Sequence, residues 1–149
     1  MNNLFSTIEK TTKIPRKNGF IFTDGGSRGN PGIAGCGAVL YDVDKNKIDT
    51  TTEFCGRQTN NFAEYRGLII GLELALKNEI TDLIVYMDSK LIIEQMKGNF
   101  KVKNAGLKPL FENAKNICDN FVKVSFTHVH REKNKVADEL ANQAMDSGK

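Results

Sequence analysis

Apolar residues in the first third of the chain fall in short runs separated by turn-forming residues. Residues 19–23 form one such run, and it ends at Asp24 and two glycines, which is typical of a buried strand followed by a turn. A second turn is predicted at 29–32. Residues 36–41 and 47–54 have the composition of two further strands, and a polar loop joins them. This part of the chain therefore predicts an antiparallel meander.

After the meander the apolar residues recur at helical spacing. They do so from Asn61 to about residue 78, and Asn61 followed by Glu64 resembles a capping box that begins the helix. The rest of the chain alternates strands with helices, with strands predicted at 81–87 and 122–129 and helices at 88–97, 106–120 and 133–145. Three meander strands followed by two strands that alternate with helices predict one α/β sheet covered by helices.

The length of 149 residues, of which 40% are hydrophobic, fits one globular domain. Residues 1–17 are polar and basic and lack a clear period, so we predict a flexible N-terminal extension before a domain at 18–149. No run reaches the roughly 18 apolar residues that a membrane helix needs, and the N-terminus lacks the apolar core of a signal peptide. We therefore expect a cytoplasmic protein, monomeric by default and without a membrane partner.

The net charge is weakly positive, because 21 lysines and arginines stand against 18 acidic residues and leave +3. This bias permits phosphate contacts but does not by itself indicate a nucleic-acid partner. Two basic groups are each either a solvated face or a phosphate-binding surface. They comprise Lys97, Lys101, Lys103 and Lys108 in the first group, and Lys123, Arg131, Lys133 and Lys135 in the second.

The three cysteines, Cys36, Cys55 and Cys118, are far apart in the sequence and match no spacing of a metal site. Their odd number and their separation do not support a disulfide framework either. We interpret them as small buried hydrophobic residues in a reducing compartment.

Four acidic residues are predicted to reach one edge of the sheet. Asp24 and Asp88 follow buried strands, although Asp24 also fits a turn, and Asp88 or Ser89 fits the cap of the next helix. Glu64 begins a helix face rich in small residues, and Asp138 borders the apolar face of the last helix. Four such groups would repel one another unless a cation neutralised them, and oxygen ligands favour Mg²⁺ or Mn²⁺ over zinc. The pattern predicts metal-assisted phosphodiester hydrolysis, since two ions about 4 Å apart can activate a water and stabilise the departing oxygen.

Four sequence blocks surround these acids: TDGGSRGNPG at 23–32, TNNFAEYRGL at 59–68, YMDSKLIIEQMKG at 86–98 and NKVADELAN at 134–142. Their order and spacing resemble the type 1 ribonuclease H family from about Gly19 to Met145. Its compact, archaeal-like members also contain a segment similar to KVKNAGLKPL at 101–110. The resemblance implies a five-stranded mixed sheet, three antiparallel strands then two parallel ones, with helices on both faces. It also implies cleavage of the RNA strand of an RNA·DNA hybrid, giving 5′-phosphate and 3′-hydroxyl ends.

The same resemblance implies roles for single residues. Asp24, Glu64, Asp88 and Asp138 would hold two Mg²⁺ ions with substrate, with Mn²⁺ as the alternative. Asp24 would bridge both ions and Asp138 would help to hold the ion that prepares the water. Glu64 and Asp88 would help to hold the ion that faces the leaving group. The residues implied in substrate binding are Gly25, Gly26, Asn30, Thr59, Asn60, Asn61 and Ser89.

The alternative interpretation of Asn60 and Asn61 is helix capping, and both roles can coexist, because one Asn can cap while its neighbour binds. For the glycines, a backbone without side chains can approach the 2′-hydroxyl that distinguishes RNA from DNA.

The match is weakest in the loop before the last acid, where many family members carry a histidine. Aligned on Asn134, the equivalent positions here are His130 and Arg131, which we name as auxiliary catalytic candidates, while His128 falls on a strand face by alternation. The chain also has no tryptophan, although tryptophans line the DNA channel of some relatives. The first lysine group could compensate through phosphate contacts, which predicts steeply salt-dependent binding.

Two other interpretations compete with a ribonuclease H. One is a nuclease or strand-transfer enzyme of the same superfamily that prefers DNA, and the blocks at 23–32 and 59–68 argue against it. The other is an inactive nucleic-acid-binding module, and the presence of all four acids argues against that.

Overall fold

The computed structural model describes residues 14–148. Most of the predicted N-terminal extension lies at residues 1–13, outside the described residues. Two of its last residues contact the domain: Arg16 Nε donates to Asp82 Oδ1 at 2.8 Å, and Lys17 O accepts from Thr81 N at 2.8 Å. The described contacts with the domain therefore begin before the first strand.

Five strands and four α-helices make up the described residues. The strands are β1 Asn18–Gly29, β2 Gly32–Tyr41, β3 Lys47–Gln58, β4 Asp82–Met87 and β5 Lys123–His128. The helices are α1 Asn60–Lys77, α2 Lys90–Met96, α3 Lys108–Cys118 and α4 Lys135–Ser147, with a 3-10 turn at Arg131–Lys133. The sheet order is β3-β2-β1-β4-β5, with antiparallel pairing among β1, β2 and β3 and parallel pairing of β1 with β4 and of β4 with β5. This arrangement confirms the predicted five-stranded mixed sheet.

The predicted turn at Asp24 is wrong. β1 continues past this residue because its antiparallel pairing with β2 runs on to Gly29 opposite Gly32. Its parallel pairing with β4 stops earlier, at Phe22 opposite Tyr86. Asp24 is thus held inside a strand by one neighbour while lying beyond the last pair formed with the other.

The helices pack closely on both faces of the sheet. On one face, a Cβ added to Gly67 of α1 would come within 2.7 Å of the Asp24 carbonyl oxygen. On the other face, a Cβ on Gly35 would come within 2.9 Å of Ala144 Cβ in α4. Small residues at these contacts therefore let α1 lie close to β1, which carries Asp24, and α4 lie close to β2.

The main hydrophobic core lies between the sheet and α1, and α3 packs against the outside of α1. Its largest fully buried side chains include Tyr65, Leu68 and Leu72 of α1 and Ile21 of β1. Among the described helices, none combines the length and apolar character needed to cross a membrane.

Candidate active site

Three carboxylates meet where the parallel pairing of β1 with β4 ends: Asp24 lies in β1, Asp88 directly follows β4, and Glu64 lies in α1. Oxygen atoms of Asp24, Glu64 and Asp88 all lie within 4.8 Å of one another. Asp138, from the first turn of α4, lines the same cleft, which has a volume of about 600 Å³. The structure therefore brings together the four acids that the sequence predicted; we call them the carboxylate cluster.

Backbone contacts fix the position of Glu64 beside Asp24. Glu64 Oε1 accepts a hydrogen bond of 3.0 Å from the Gly25 amide. Only glycine fits at position 25, because a Cβ there would lie 2.2 Å from the Ala63 carbonyl oxygen. The strand and the start of α1 thus touch through their backbones next to the two carboxylates.

Asn134 anchors the helix that carries Asp138. Its side chain is buried, and Nδ2 donates to the Thr23 carbonyl at 2.9 Å, one residue before Asp24. Its own carbonyl accepts from the Asp138 amide at 3.1 Å, in the first turn of α4. Asn134 therefore sets the distance between α4 and β1 at the cleft.

The cluster favours protonation of its innermost acids. Removal from water raises the pKa of Asp24 to about 8, with further contributions from the charge of Asp88 and a hydrogen bond with Asp138. The pKa of Glu64 is also raised well above its ordinary value, first by removal from water and then by the charges of Asp24 and Asp88. Negative charge at this site therefore needs a positive partner at neutral pH.

Within residues 14–148, Arg131 is the basic residue in ion-pair range of the cluster. Its Nη2 is 4.0 Å from Asp138 Oδ1. Its side chain is 82% exposed, so water screens much of that interaction. Closely spaced carboxylate oxygens without a buried protein cation match the ligands that Mg²⁺ and Mn²⁺ prefer. The donor set thus fits one or more hard divalent cations.

Three of the predicted substrate residues line the cleft: Gly25, Gly26 and Asn60. A hydrogen-bond chain connects this wall, because Ser27 N donates to Asn60 Oδ1 at 2.8 Å and Asn60 N donates to Asn30 Oδ1 at 3.0 Å. Asn30, itself outside the cleft lining, thus holds Asn60 in place.

Thr59, Asn61 and Ser89 are not among the residues that line the cleft. Thr59 caps α1, since its Oγ1 accepts from Phe62 N at 3.2 Å, so the predicted cap at Asn61 is wrong by two residues. Asn61 is exposed in the first turn of α1. Ser89 rather than Asp88 caps α2, with its Oγ 3.4 Å from Ile92 N.

Both auxiliary candidates, His130 and Arg131, line the cleft. His128 lines it too, and its Nε2 lies 3.2 Å from the Asp88 carbonyl oxygen. The two imidazole rings pack edge to face with centroids 5.9 Å apart. Both histidines therefore border the acids, and His128 is the one bonded to the Asp88 backbone.

Arg28 and Asn142 also line the cleft, although the sequence analysis did not single them out. Arg28 Nη1 forms an ion pair of 2.7 Å with Asp146, and Nη2 lies 3.4 Å from Asn142 Oδ1. Both residues belong to the sequence blocks quoted above, so their membership in those blocks was the available clue. The lysines of the first basic group are exposed and do not line the cleft.

The chain is similar to known proteins over most of its length. A family described as Reverse transcriptase-like matches residues 22–144. A bifunctional protein of Mycobacterium tuberculosis is 48% identical over 128 residues, covering 85% of this chain and 35% of that protein. The chain thus spans about a third of the length of its mycobacterial relatives.

Solved structures are similar to this chain over nearly the whole domain. The crystal structure of RNase H1 from the halophilic archaeon Halobacterium salinarum has a TM-score of 0.85 and 37% identity, covering 87% of this chain and 98% of that one. The structure of LC11-RNase H1 in complex with an RNA/DNA hybrid has a TM-score of 0.82 and 42% identity, with coverages of 87% and 98%.

Proposed function

This chain belongs to the type 1 ribonuclease H family, and from that premise we propose that it is an endonuclease that hydrolyses the RNA strand of RNA·DNA hybrids. The observation that carries the proposal is the meeting of Asp24, Glu64 and Asp88, with carboxylate oxygens within 4.8 Å, in a cleft that Asp138 also lines. The hybrid bound in the LC11-RNase H1 complex supports the same substrate class.

The four acids would hold two divalent cations when the substrate is bound, Mg²⁺ in this proposal and Mn²⁺ as the alternative. Such a pair supplies an activated water and neutralises the departing oxygen of a phosphodiester. Cleavage of the bond between phosphorus and the 3′-oxygen leaves 5′-phosphate and 3′-hydroxyl ends. The raised pKa values of Asp24 and Glu64 support this proposal, because a cation would restore their charged forms.

The chain's own residues would orient the substrate. Gly26 leaves room for the RNA strand, because a Cβ there would meet only Met145 Cε at 3.8 Å within the described residues. Asn60, held by Ser27 and Asn30, presents its amide group at the same wall. We infer that this wall contacts the minor groove, where the 2′-hydroxyl groups distinguish RNA from DNA.

The test is cleavage of an end-labelled RNA·DNA hybrid in Mg²⁺, Mn²⁺ or EDTA, with duplex DNA and duplex RNA as controls. We expect cleavage of the hybrid's RNA strand only, no cleavage in EDTA, and an inactive Asp88→Asn variant. End analysis should find 5′-phosphates on the products.

Each other outcome favours a different interpretation. A hybrid that is bound but left intact with both metals would indicate a binding module without catalysis. Cleavage of duplex DNA would instead place the protein with the DNA-acting enzymes of the superfamily.

A further inference from the structure

A second group of reactive side chains lies one strand away from the carboxylate cluster. Cys36 of β2 and Cys55 of β3 place their Sγ atoms 3.8 Å apart. Cys36 is buried, whereas Cys55 is partly exposed. Glu53 and Arg66 complete this group, which we call the thiol cluster.

A β-bulge brings the two cysteines together. Cys36 pairs directly with Glu53, but the register of β3 shifts between the partners of Ala34 and Gly35, so Cys55 is an extra residue at that step. Gly56 next to it has a positive φ of 71°, which lets the strand turn there. Since β3 is the edge strand of the sheet, a small molecule can reach the bulge from the side.

The thiol cluster is poorly suited to hold a metal ion. Both carboxylate oxygens of Glu53 are taken by the Arg66 guanidinium, with Nε–Oε2 and Nη2–Oε1 distances of 2.6 Å each. A metal ion would have to displace this cation from Glu53 and would then lie beside it. Two thiols 3.8 Å apart can react with each other without a metal ion, so the cluster is better suited to thiol chemistry.

We propose that Cys36 and Cys55 are a thiol–disulfide exchange site that reacts with small-molecule disulfides. The Cys55 thiolate attacks one sulfur of the small disulfide, whose S–S bond breaks and releases one small thiol after proton uptake. Cys36 then loses its proton and attacks the Cys55 sulfur of the mixed disulfide, releasing the second small thiol. The protein loses two electrons and two protons, and the small disulfide is reduced to two thiols.

The two thiols differ in the way that this sequence of steps requires. A hydrogen bond from Cys36 lowers the pKa of Cys55; burial and the charge of Glu53 oppose this effect, and the charge of Arg66 supports it. The same hydrogen bond and burial raise the pKa of Cys36 far above its usual range. The attacking species is a thiolate, so the partly exposed Cys55 acts first and the buried Cys36 resolves the mixed disulfide.

The experiment treats the full chain with glutathione disulfide, alkylates the remaining thiols, and maps the peptides by mass spectrometry. We expect Cys36 linked to Cys55, Cys118 alkylated, and full reversal by dithiothreitol. The oxidised protein should melt about 5–10 °C higher than the reduced protein, since the bond closes a loop between adjacent strands.

Three variants separate the roles of the cysteines. Cys118→Ala should oxidise like the wild type. Cys36→Ala should stop at a glutathione adduct on Cys55, because no resolving thiol remains. Cys55→Ala should take up no glutathione at the buried Cys36.

The proposal is overturned if all three cysteines of the oxidised wild type are alkylated, or if the bond found involves Cys118. Zinc that co-purifies with the wild type and is lost from both cluster variants would also overturn it, in favour of a metal site. The peptide map of the wild type decides the matter even if a variant does not fold.

Discussion

The carboxylate cluster and the thiol cluster are two different environments for a buried or partly buried acid. At the thiol cluster, Glu53 is held by Arg66 through two contacts of 2.6 Å. At the carboxylate cluster, burial raises the pKa values of Asp24 and Glu64, and the neighbouring acids raise them further. One acid has a cation built into the protein, whereas in the proposed function the others depend on a cation that binds.

A single helix serves both clusters. Glu64 and Arg66 are two residues apart on α1, yet the first side chain joins the cleft and the second turns to Glu53 in β3. We infer a rule from this difference: an acid paired with a protein cation stabilises the structure, whereas acids without such a partner are available to bind a functional cation. The predictions below test that rule.

The largest expected effect separates the two clusters by activity. Asp24→Asn should reduce hybrid cleavage by at least about 10³-fold, or roughly 4 kcal/mol of transition-state stabilisation, because it removes one of the proposed metal ligands. Steady-state cleavage of a labelled hybrid measures this loss. The substitution is nearly isosteric, so the hybrid binding of the proposed function should persist.

The matched control is Glu53→Gln in the thiol cluster. It removes a carboxylate that is more exposed than Asp24 and has its own cation, and cleavage should stay within about threefold of the wild type. If Glu53→Gln lost as much activity as Asp24→Asn, the distinction between the two clusters would be wrong.

The second prediction concerns the stability of the thiol cluster. Arg66→Met leaves the charge of Glu53 half-buried without its cation, and we expect a loss of about 2 kcal/mol in the free energy of unfolding. The double variant Glu53→Gln with Arg66→Met removes both charges and should recover part of this loss. Urea unfolding of the wild type, both single variants and the double variant measures the coupling. Additive losses would show that the pair contributes nothing.

The third prediction is that divalent cations stabilise the fold more at high pH than at low pH. The pKa of Asp24 rises from 3.8 to about 8 in the folded chain, so as pH increases the unfolded chain loses this proton first. Without a cation, this group therefore lowers stability progressively from about pH 4 to about pH 8, and the loss is complete above that range.

Thermal unfolding at about pH 5 and about pH 8, in EDTA and in Mg²⁺, tests this direction of the pH dependence of stability. At about ten times its dissociation constant, Mg²⁺ should add about 1.4 kcal/mol at the higher pH and much less at the lower one. Asp24→Asn should weaken both the pH dependence and the response to Mg²⁺. A response to Mg²⁺ that is equal at both pH values would contradict the raised pKa of Asp24.

The sequence predicted the sheet and the four acids because both depend on local patterns. Alternation and helical spacing indicate the strands and helices, and Asp24 and Asp88 were expected on adjacent strands, which the pairing of β1 with β4 confirms. The extent of β1 could not be predicted in this way. Glycines usually indicate a turn, but Gly25 lies within the strand because β1 stays paired with β2. Glycine is needed there because the Ala63 carbonyl oxygen leaves no space for a Cβ.

The thiol cluster was missed for a related reason. Cys36 and Cys55 are distant in the sequence, and only the register shift of β3 places their sulfurs 3.8 Å apart. A bulge depends on pairing between strands, which a pattern along one strand does not record. The same limit applies to Asn134, whose bond to the Thr23 carbonyl joins residues at opposite ends of the domain.

The smallest expected effect concerns Arg131, the exposed cation nearest to the carboxylate cluster among the described residues. If the cluster depends on a bound cation, an arginine 4.0 Å from Asp138 competes weakly with that ion. Arg131→Gln should therefore lower the Mg²⁺ concentration for half-maximal cleavage by about twofold, an effect well under 1 kcal/mol because water screens the pair. Titration of cleavage rate against Mg²⁺ measures it, with His130→Gln as the neighbouring control that leaves the half-maximal concentration unchanged. A large loss of cleavage in Arg131→Gln at saturating Mg²⁺ would instead show that Arg131 is an essential cation at this site. The carboxylate cluster would then have a protein cation, as Glu53 has Arg66, and the contrast between the two clusters would not hold.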